Sequence, residues 1–352
     1  MNLKAPFPWF GGKSRVAPLV WERFGDTPNY VEPFAGSMAT LLGRPKKHAA
    51  KIETVNDLDG YVANFWRAIS HDPEGTARWA DWPIIESDLN ARHAYLVSAR
   101  ESLLRKLEGD PDFYDPRIAG WWVAGVCGWI GSGYCSGEGP WSVIDGELIN
   151  RKLPHLGNAG RGINRKLPHL GNAGQGINRQ MPHLSNAGQG INRQMPHLGD
   201  AGRGIEEWFA ALAERLRRVR VCNGDWVRVL SESVTIRHGM TSVFLDPPYG
   251  DKIEQTRVYA TDSGTVSDDV RDWCIQNGEN PLLRIALCGY EGEGHDALVG
   301  LGWTSLAWKT SGGYGGGRGG IGDANRHRER IYFSPACIDA DEQLGLDFGG
   351  AA

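Results

Sequence analysis

The 352-residue sequence lacks several features that would assign its class at once. No apolar run approaches the ~18 residues that a membrane-spanning helix requires, and residues 1–6 have no apolar core of the signal-peptide kind. Its six cysteines are scattered without any C-x-x-C spacing, which argues against a zinc site and against a disulfide framework. We therefore expect a cytoplasmic protein that has no membrane contact and no bound metal.

The sequence also lacks a strong overall charge. Its formal net charge is -4, with 38 Lys and Arg against 42 Asp and Glu, so any binding to nucleic acid depends on a local basic surface. Hydrophobic residues make up 41% of the chain and charged residues 23%, which is ordinary for a globular protein. The length predicts one large domain or two modest ones.

The most informative stretch is residues 244–250, Phe-Leu-Asp-Pro-Pro-Tyr-Gly. Its apolar start predicts a buried strand, and Pro247 and Pro248 remove two backbone donors, so the chain must leave the sheet after Asp246. Ligands bind at this carboxyl edge in open α/β sheets. There the carboxylate can accept hydrogen bonds from an amine while Tyr249 stacks on a flat heterocycle. On these residues alone, a proline-rich turn closed by a packed tyrosine is an equally good interpretation.

A second candidate site lies in residues 6–14, which hold two glycines, a lysine and two aromatic rings: Trp9, Phe10, Gly11, Gly12 and Lys13. Glycine permits close backbone approach to a ligand, the lysine supplies a cation and the rings supply flat faces. The Gly-Gly-Lys-Ser string invites comparison with a phosphate-binding P-loop. The spacing fails because position 7 is Phe rather than Gly, and no strand precedes the segment. We reject an ATPase on this ground.

A third candidate is the segment 29–39. It predicts a short strand ending at Glu32, then a glycine-bearing turn, then a helix capped by Ser37. This strand-turn-helix unit is typical of nucleotide-binding folds, although it has one glycine where dinucleotide folds show three. The turn residues are Phe34, Ala35 and Gly36.

Two further strands are predicted to end near an acid. Residues 52–59 predict a strand ending at Asp57, the position at which such folds bond a ribose hydroxyl. An ordinary helix cap is a comparably good interpretation of this aspartate. A strand over 219–222 is followed closely by Asp225 and Trp226, which again places an acid just past a strand end.

The remaining periodicity predicts a mixed α/β body. Apolar residues at three- and four-residue spacing predict helices, and short apolar runs predict strands. The predicted helices cover 61–69, 87–107, 205–218 and 267–276. The other predicted strands cover 241–246, 282–288, 303–308 and, at an edge of the sheet, 330–334. The acidic tail from residue 339 is predicted to fray.

The middle of the chain has an unusual composition. Residues 120–143 are rich in Gly and Trp, which suits either a contact surface for bases or an irregular packed segment. A 14-residue unit then repeats over 149–204, starting at Ile149, Ile163, Ile177 and Ile191. The repeats hold eight Arg or Lys and one acid, a local charge of +7. They suit a basic arm along phosphates or a tandem duplication tolerated in a surface loop.

Alternating strands and helices predict an α/β fold with a doubly wound sheet. Four of its strands are predicted to end near a carboxylate: Glu32, Asp57, Asp225 and Asp246. On a single sheet such ends should converge on one crevice. The sequence therefore predicts a small-molecule site that is rich in acceptors and has an aromatic mouth.

Three motifs carry a resemblance to a known family. They are residues 7–13, Phe-Pro-Trp-Phe-Gly-Gly-Lys, then 32–37, Glu-Pro-Phe-Ala-Gly-Ser, then 246–249, Asp-Pro-Pro-Tyr. In this order they resemble the Dam-type DNA adenine methyltransferases, the α-group of amino-methyltransferases, and the segment 127–143 resembles phage and prophage members. The resemblance implies a Rossmann-like methyltransferase sheet with an inserted target-recognition domain that is mostly helical or irregular.

The same resemblance implies a division of the chain into parts. The catalytic domain would comprise residues 1–110, with the cofactor motifs, and residues 205–338, with the Asp-Pro-Pro-Tyr motif. The target-recognition region would occupy 111–204 and include the repeats, which lie outside the family pattern. Residues 339–352 would form an acidic tail.

The implied cofactor is S-adenosylmethionine. Asp57 would bond its ribose and Asp225 its adenine amine, with Trp226 beside that ring. Its methionine end would contact the second motif, and Trp9 and Lys13 would close over it. The implied cofactor-binding residues are Trp9, Phe10, Gly11, Gly12, Lys13, Glu32, Phe34, Ala35, Gly36, Asp57, Asp225 and Trp226.

The implied reaction is methylation of the exocyclic N6 amine of adenine in double-stranded DNA. Asp246 and the Pro247 carbonyl would accept hydrogen bonds from that amine, Pro248 would stiffen the turn, and Tyr249 would stack on the base after it is flipped from the duplex. We expect DNA contacts from four residues of the middle region: Trp121, Ser132, Arg151 and Arg165.

Three alternatives stay open at this point. Methylation of cytosine at N4 needs the same geometry, although that group more often resembles Ser-Pro-Pro-Tyr. A DNA-binding protein that kept the fold but lost turnover is a different class of answer, against which the intact acid and tyrosine set argues. An RNA or protein amine would offer the same acceptor contacts. We expect a monomer that binds DNA and no metal.

Overall fold

A computed structural model of the chain describes residues 3–9, 12–48, 51–83, 85–129, 134–135, 141–144, 147–150, 181–182, 191–192, 204–248, 266–308 and 328–339. The body is a seven-stranded sheet with helices on both faces, as predicted. No helix within these residues is long and apolar enough to cross a membrane.

The main sheet is mixed and mostly parallel. Its strands are β1 Asn29–Glu32, β2 Ile52–Asp57, β3 Val219–Asn223, β4 Thr241–Leu245, β5 Leu283–Tyr290, β6 Thr304–Ala307 and β7 Glu329–Phe333. Their order across the sheet is β6-β7-β5-β4-β1-β2-β3, and β7 alone runs antiparallel to its neighbours. Read from the other edge, the first five strands follow the 3-2-1-4-5 order of the doubly wound nucleotide-binding fold. Strand order reverses beside β1, where such folds open their ligand crevice.

The helices are α1 Ala17–Phe24, α2 Ala39–Leu42, α3 Gly60–His71, α4 Pro73–Ala80, α5 Glu86–Gly109, α6 Pro116–Gly128, α7 Ile205–Leu216 and α8 Val266–Asn277. Short 3-10 turns cover Trp226–Val229, Ile236–His238 and His295–Leu301. Two small antiparallel pairs lie outside the main sheet, Trp141–Ile144 with Glu147–Asn150 and Met181–Pro182 with Ile191–Asn192.

The sheet separates two hydrophobic cores. Tyr30 and Phe244 project to one face, where α1, α3, α6 and α7 pack, and Val31 and Val243 project to the other, where α8 packs. All four side chains are buried. Side chains alternate across a strand, so strands buried on both faces appear in the sequence as unbroken apolar runs. This is why short apolar runs located β4 and β5 correctly.

Three local predictions were wrong. Ser37 does not cap α2; the capping position is Met38, in the left-handed region at φ 51° without a side-chain cap bond. The turn is tighter than a standard helix start, since the Met38 N–H donates to the Ala35 carbonyl at 2.6 Å. Residues 330–334 do not form an edge strand, because β7 lies between β5 and β6. Its run Ile331–Phe333 is fully buried, which is the pattern of an interior strand.

The third error concerns the Gly- and Trp-rich residues from 120 onward. Pro116–Gly128 is neither a contact loop nor irregular but a regular helix, α6. Its glycines make room for rings: a Cβ on Gly125 would overlap Tyr134. Trp122 packs with Phe7 and Phe65 in the larger core. The structure thus includes α6 in the body, although the predicted target-recognition region begins at residue 111.

Candidate active site

One crevice opens at the carboxyl ends of β1 to β4, beside the reversal of strand order. Its volume is about 260 Å³. The wall combines carboxylates, aromatic rings and the glycine turn after β1. Lining residues are Trp9, Gly12, Lys13, Glu32, Pro33, Phe34, Ala35, Gly36, Ser37, Ala39, Asn56, Asp57, Leu58, Asp59, Gly224, Asp225, Trp226, Phe244, Asp246, Pro248, Val266 and Asp269. The four acids predicted to converge all line this one cavity.

The end of β4 presents Asp246 to a buried lysine. Lys13 Nζ lies 2.8 Å from Asp246 Oδ1, and the two side chains are 4% and 20% exposed. Burial alone would lower the pKa of Lys13, but the Asp246 carboxylate, helped by Cys288 and Glu329, outweighs burial and raises it. The lysine is therefore charged across the physiological range. This contact joins the first and third sequence motifs.

The end of β1 presents Glu32, which is 2% exposed. The Tyr30 hydroxyl donates to Glu32 Oε2 at 2.8 Å. Burial raises the pKa of Glu32 to about 8; the tyrosine opposes the shift, and Asp246 and Asp57 add to it through repulsion. Near neutral pH the crevice therefore holds a carboxyl group that is ready to ionise when a cation arrives.

The end of β2 presents Asp57, held by backbone donors on both oxygens. Gly36 N–H donates to Oδ2 at 2.8 Å and Asp59 N–H to Oδ1 at 2.9 Å. Burial raises its pKa to about 7, with Asp59 adding to the shift and the backbone donors opposing it. The alternative interpretation as a helix cap was wrong for Asp57, because Asp59 caps α3 by accepting from the Tyr61 N–H at 2.8 Å.

The end of β3 is fixed to β2 by amide side chains. Asn56 Nδ2 donates to the Gly224 carbonyl at 2.9 Å and to the Pro33 carbonyl at 3.1 Å. Its Oδ1 is buried and has no hydrogen-bond partner within the described part of the chain. Asp225 follows β3 and accepts from the Val227 N–H at 2.9 Å. Six acidic side chains line the crevice, the four strand-end acids together with Asp59 and Asp269, which suits a ligand rich in donors.

Aromatic rings form the remaining wall. Phe34 and Trp226 lie with ring centres 5.9 Å apart and planes tilted by 30°, so they form one flat, apolar side beside Asp225. Trp9 lies on the other side of the glycine turn and meets Phe7 edge to face at 5.8 Å. A planar heterocycle fits beside such rings.

The glycine turn after β1 packs closely against the Trp9 ring. Gly36 has φ 45°, and a Cβ there would overlap the Trp9 indole nitrogen. Its carbonyl also accepts from Trp66 Nε1 at 2.9 Å. Hence only glycine satisfies both the left-handed backbone and the close ring contact.

We expect Gly36→Ala to lower the free energy of unfolding by about 1–3 kcal/mol, since it adds left-handed strain and displaces an aromatic ring. Urea unfolding measures this change. Gly109→Ala is the matched control, because no atom lies within 4 Å of its Cβ position. Equal stabilities of the two variants would contradict the packing described for the turn.

Some predicted site residues lie outside the described part of the chain: Phe10, Gly11, Tyr249, Ser132, Arg151 and Arg165. Of the others, Pro248 lines the crevice, whereas Pro247 is buried and is not among the lining residues. Trp121 is not among the lining residues; it lies on α6 with its ring 5.8 Å from Trp79 and 5.4 Å from Tyr95.

Sequence reasoning missed several lining residues. Asn56 and Asp59 flank Asp57 on the chain, so the polar run after an apolar strand was the available signal. Val266 and Asp269 come from α8, whose helix pattern gave no hint of its place at the crevice. The described residues include no group of three or more His, Cys, Asp or Glu that could hold a metal ion.

Comparison with known proteins bears on the first part of this site. Residues 9–110 match the family model of D12 class N6 adenine-specific DNA methyltransferases. The matched range includes Trp9, Lys13, the β1 turn with Glu32 and Gly36, and Asp57. No curated protein matches the chain significantly. The match confirms the resemblance drawn from the sequence motifs: residues 9–110 are similar to the D12 class N6 adenine-specific DNA methyltransferases.

Proposed function

We propose that the chain transfers a methyl group from S-adenosylmethionine to the N6 amine of an adenine flipped out of double-stranded DNA, acting as a monomer. The observation that carries the proposal is the convergence of Glu32, Asp57, Asp225 and Asp246 on one crevice with aromatic walls. The family match supports adenine as the base.

The crevice fits this cofactor chemically. S-adenosylmethionine carries an ammonium, a sulfonium, a ribose diol and an adenine amine, and each is a cation or a donor. The strand-end acids are acceptors, and so is Asn56 Oδ1, which has no hydrogen-bond partner among the described residues. Gly36 has no Cβ, so the Trp9 ring packs directly against the turn at the crevice wall. When bound, the cofactor supplies a methyl group already activated by the positive sulfur.

Each strand end has a part in binding. Glu32 and Asp57, whose pKa values are raised to about 8 and about 7, ionise against the cationic methionine end and hold a ribose hydroxyl. Asp225 accepts the adenine amine, and Phe34 and Trp226 contact the ring face. Positioning by several fixed groups is what makes an in-line transfer efficient.

The methyl acceptor is the substrate amine, which is a poor nucleophile because its lone pair is delocalised into the ring. Asp246 and the Pro247 carbonyl accept hydrogen bonds from its two N–H groups. These bonds favour the pyramidal geometry in which the lone pair can attack. The N–C bond forms as the S–C bond breaks, and the amine then loses one proton to water. Tyr249 stacks on the flipped base in this proposal.

Lys13 orients the acceptor. Its ammonium lies 2.8 Å from Asp246 Oδ1. This ion pair holds the carboxylate in one rotamer, in which Oδ2 faces the substrate amine. This differs from the role implied by the resemblance, in which the lysine closes over the cofactor. The proposed DNA contacts remain Trp121, Ser132, Arg151 and Arg165, in the proposed target-recognition region 111–204.

The proposal is tested with tritiated S-adenosylmethionine and duplex DNA free of methylation. We expect label in DNA, and mass spectrometry of the nucleosides should identify it as N6-methyladenine. Detection of N4-methylcytosine instead would show that the alternative reaction, methylation of cytosine at N4, is the correct one. Tight cofactor binding without transfer to DNA would overturn the proposal and direct attention to RNA substrates or to a DNA-binding protein without turnover.

A further inference from the structure

Glu329 is a buried carboxylate near the crevice that the proposed reaction does not use. It begins β7 and is 5% exposed, and its Oε2 has no hydrogen-bond partner among the residues that the structure describes. A buried acceptor without a partner is costly, and in native structures such groups often serve a site. The position of Glu329 in the sheet indicates which site it serves.

Glu329 lies at the same edge of the sheet as Asp246. β7 is antiparallel to β5, and Glu329 is paired with Tyr290, the last residue of β5. β5 is paired with β4, which ends one residue before Asp246. Two strand spacings, roughly 10 Å, therefore separate the backbones that carry the two carboxylates.

The Lys13 ammonium interacts with both carboxylates. It contacts Asp246 at 2.8 Å and lies 5.6 Å from the centre of the Trp308 ring. The backbone N–H of Trp308 in turn donates to the Glu329 backbone carbonyl at 3.3 Å. Lys13 and Glu329 attract each other electrostatically.

We infer that Glu329 is a positioning residue of the methyl-transfer site, which balances the Lys13 ammonium from β7 and thereby keeps Asp246 fully negative toward the substrate amine. The inference rests on the proposed function. In the reaction, positive charge moves from sulfur to the amine nitrogen beside Asp246. With Lys13 alone, that pair is neutral; with Glu329 it carries one net negative charge, which stabilises the developing cation.

The charged and titratable groups facing Glu329 are Lys13, Asp246, Tyr290 and Cys288. Burial raises the pKa of Glu329 to about 7; Lys13 opposes the shift and Asp246 adds to it. The carboxylate is therefore ionised above about pH 7 and protonated below it. At saturating cofactor, which holds Glu32 and Asp57 ionised in the proposed complex, single-turnover methyl transfer should accordingly rise with pH through this region and then level off.

The test is Glu329→Gln in the full chain. We expect about a tenfold slower single-turnover methyl transfer at pH 8, unchanged cofactor affinity, and loss of the step in the pH profile near 7. Glu291→Gln is the matched control, since Glu291 is half exposed and pairs with Arg330 at 2.8 Å. A wild-type rate and profile in Glu329→Gln would overturn the inference.

A double-mutant cycle separates this inference from the proposed function. In a Lys13→Met background, Glu329→Gln should no longer change the transfer rate, and the two changes should be non-additive in the unfolding equilibrium constant by about tenfold. If wild type transfers no methyl group, the proposed function fails, and the unfolding cycle still decides whether Glu329 acts on Lys13. Additive effects on unfolding would sink the inference.

Discussion

Asp246→Asn is expected to slow methyl transfer by about 10²- to 10³-fold, the usual cost of removing one preorganised electrostatic group. Its Oδ1 can still accept from Lys13, which lies 2.8 Å from that atom in the wild type. The other position becomes an NH2 group, which donates where the substrate amine must also donate. The loss therefore falls on the chemical step rather than on the fold.

Single-turnover rates with tritiated cofactor measure this effect, and equilibrium dialysis measures cofactor affinity beside it. We expect affinity to change by less than about threefold, since in the proposed complex Asp246 faces the amine rather than the cofactor. Asp339→Asn is the matched control: that aspartate pairs with Arg23 at 3.1 Å and is 64% exposed. Asp246→Asn retaining more than a tenth of the wild-type rate would refute its role as the acceptor.

The acids at the strand ends could be predicted because their signal is local. An apolar run that stops at a carboxylate, as at Leu245-Asp246 or at Val31-Glu32, marks both a buried strand and its exit point. Alternation with helices then made the sheet doubly wound, and parallel strands bring their carboxyl ends to one edge. The convergence of the four acids can therefore be predicted from the strand ends and the fold class alone.

The pairing of Lys13 with Asp246 could not be predicted in the same way. The two residues are far apart in the chain, and only the position of the N-terminal segment over β4 and β5 brings them together. The same limit explains Glu329. Its strand was assigned to an edge, because the antiparallel insertion of β7 between β5 and β6 leaves no periodic trace. The helix α6 was missed because glycines that admit Trp79 and Tyr134 resemble loop glycines in composition.

Glu32→Gln is expected to have opposite effects on stability and on cofactor binding. The pKa of Glu32 is raised from 4.5 to about 8 in the folded protein. The folded state therefore holds a proton that the unfolded state has released across this interval, so the free energy of unfolding falls as pH rises from about 4.5 to about 8. A glutamine at position 32 can still accept the hydrogen bond from the Tyr30 hydroxyl. Because its side chain is neutral at all pH values, this pH-dependent loss of stability disappears.

The variant should therefore match the wild type near pH 4.5 and exceed it at pH 8 by a few kcal/mol as an order of magnitude. Urea unfolding at several pH values measures this difference. Its affinity for S-adenosylmethionine should fall by about tenfold to a hundredfold at pH 8, because one buried charge opposite a cation has been lost. Such opposition between stability and function is common at binding sites.

Glu53 provides the matched control for this prediction. It is also a strand glutamate with low exposure, but Arg215 binds it at 2.7 and 2.9 Å and Arg44 at 3.3 Å. Glu53→Gln breaks a satisfied buried network and should destabilise the fold while leaving cofactor affinity unchanged. A Glu32→Gln variant that is destabilised in the same way would mean that Glu32 serves the fold. The crevice would then lack the charge that a cationic cofactor requires.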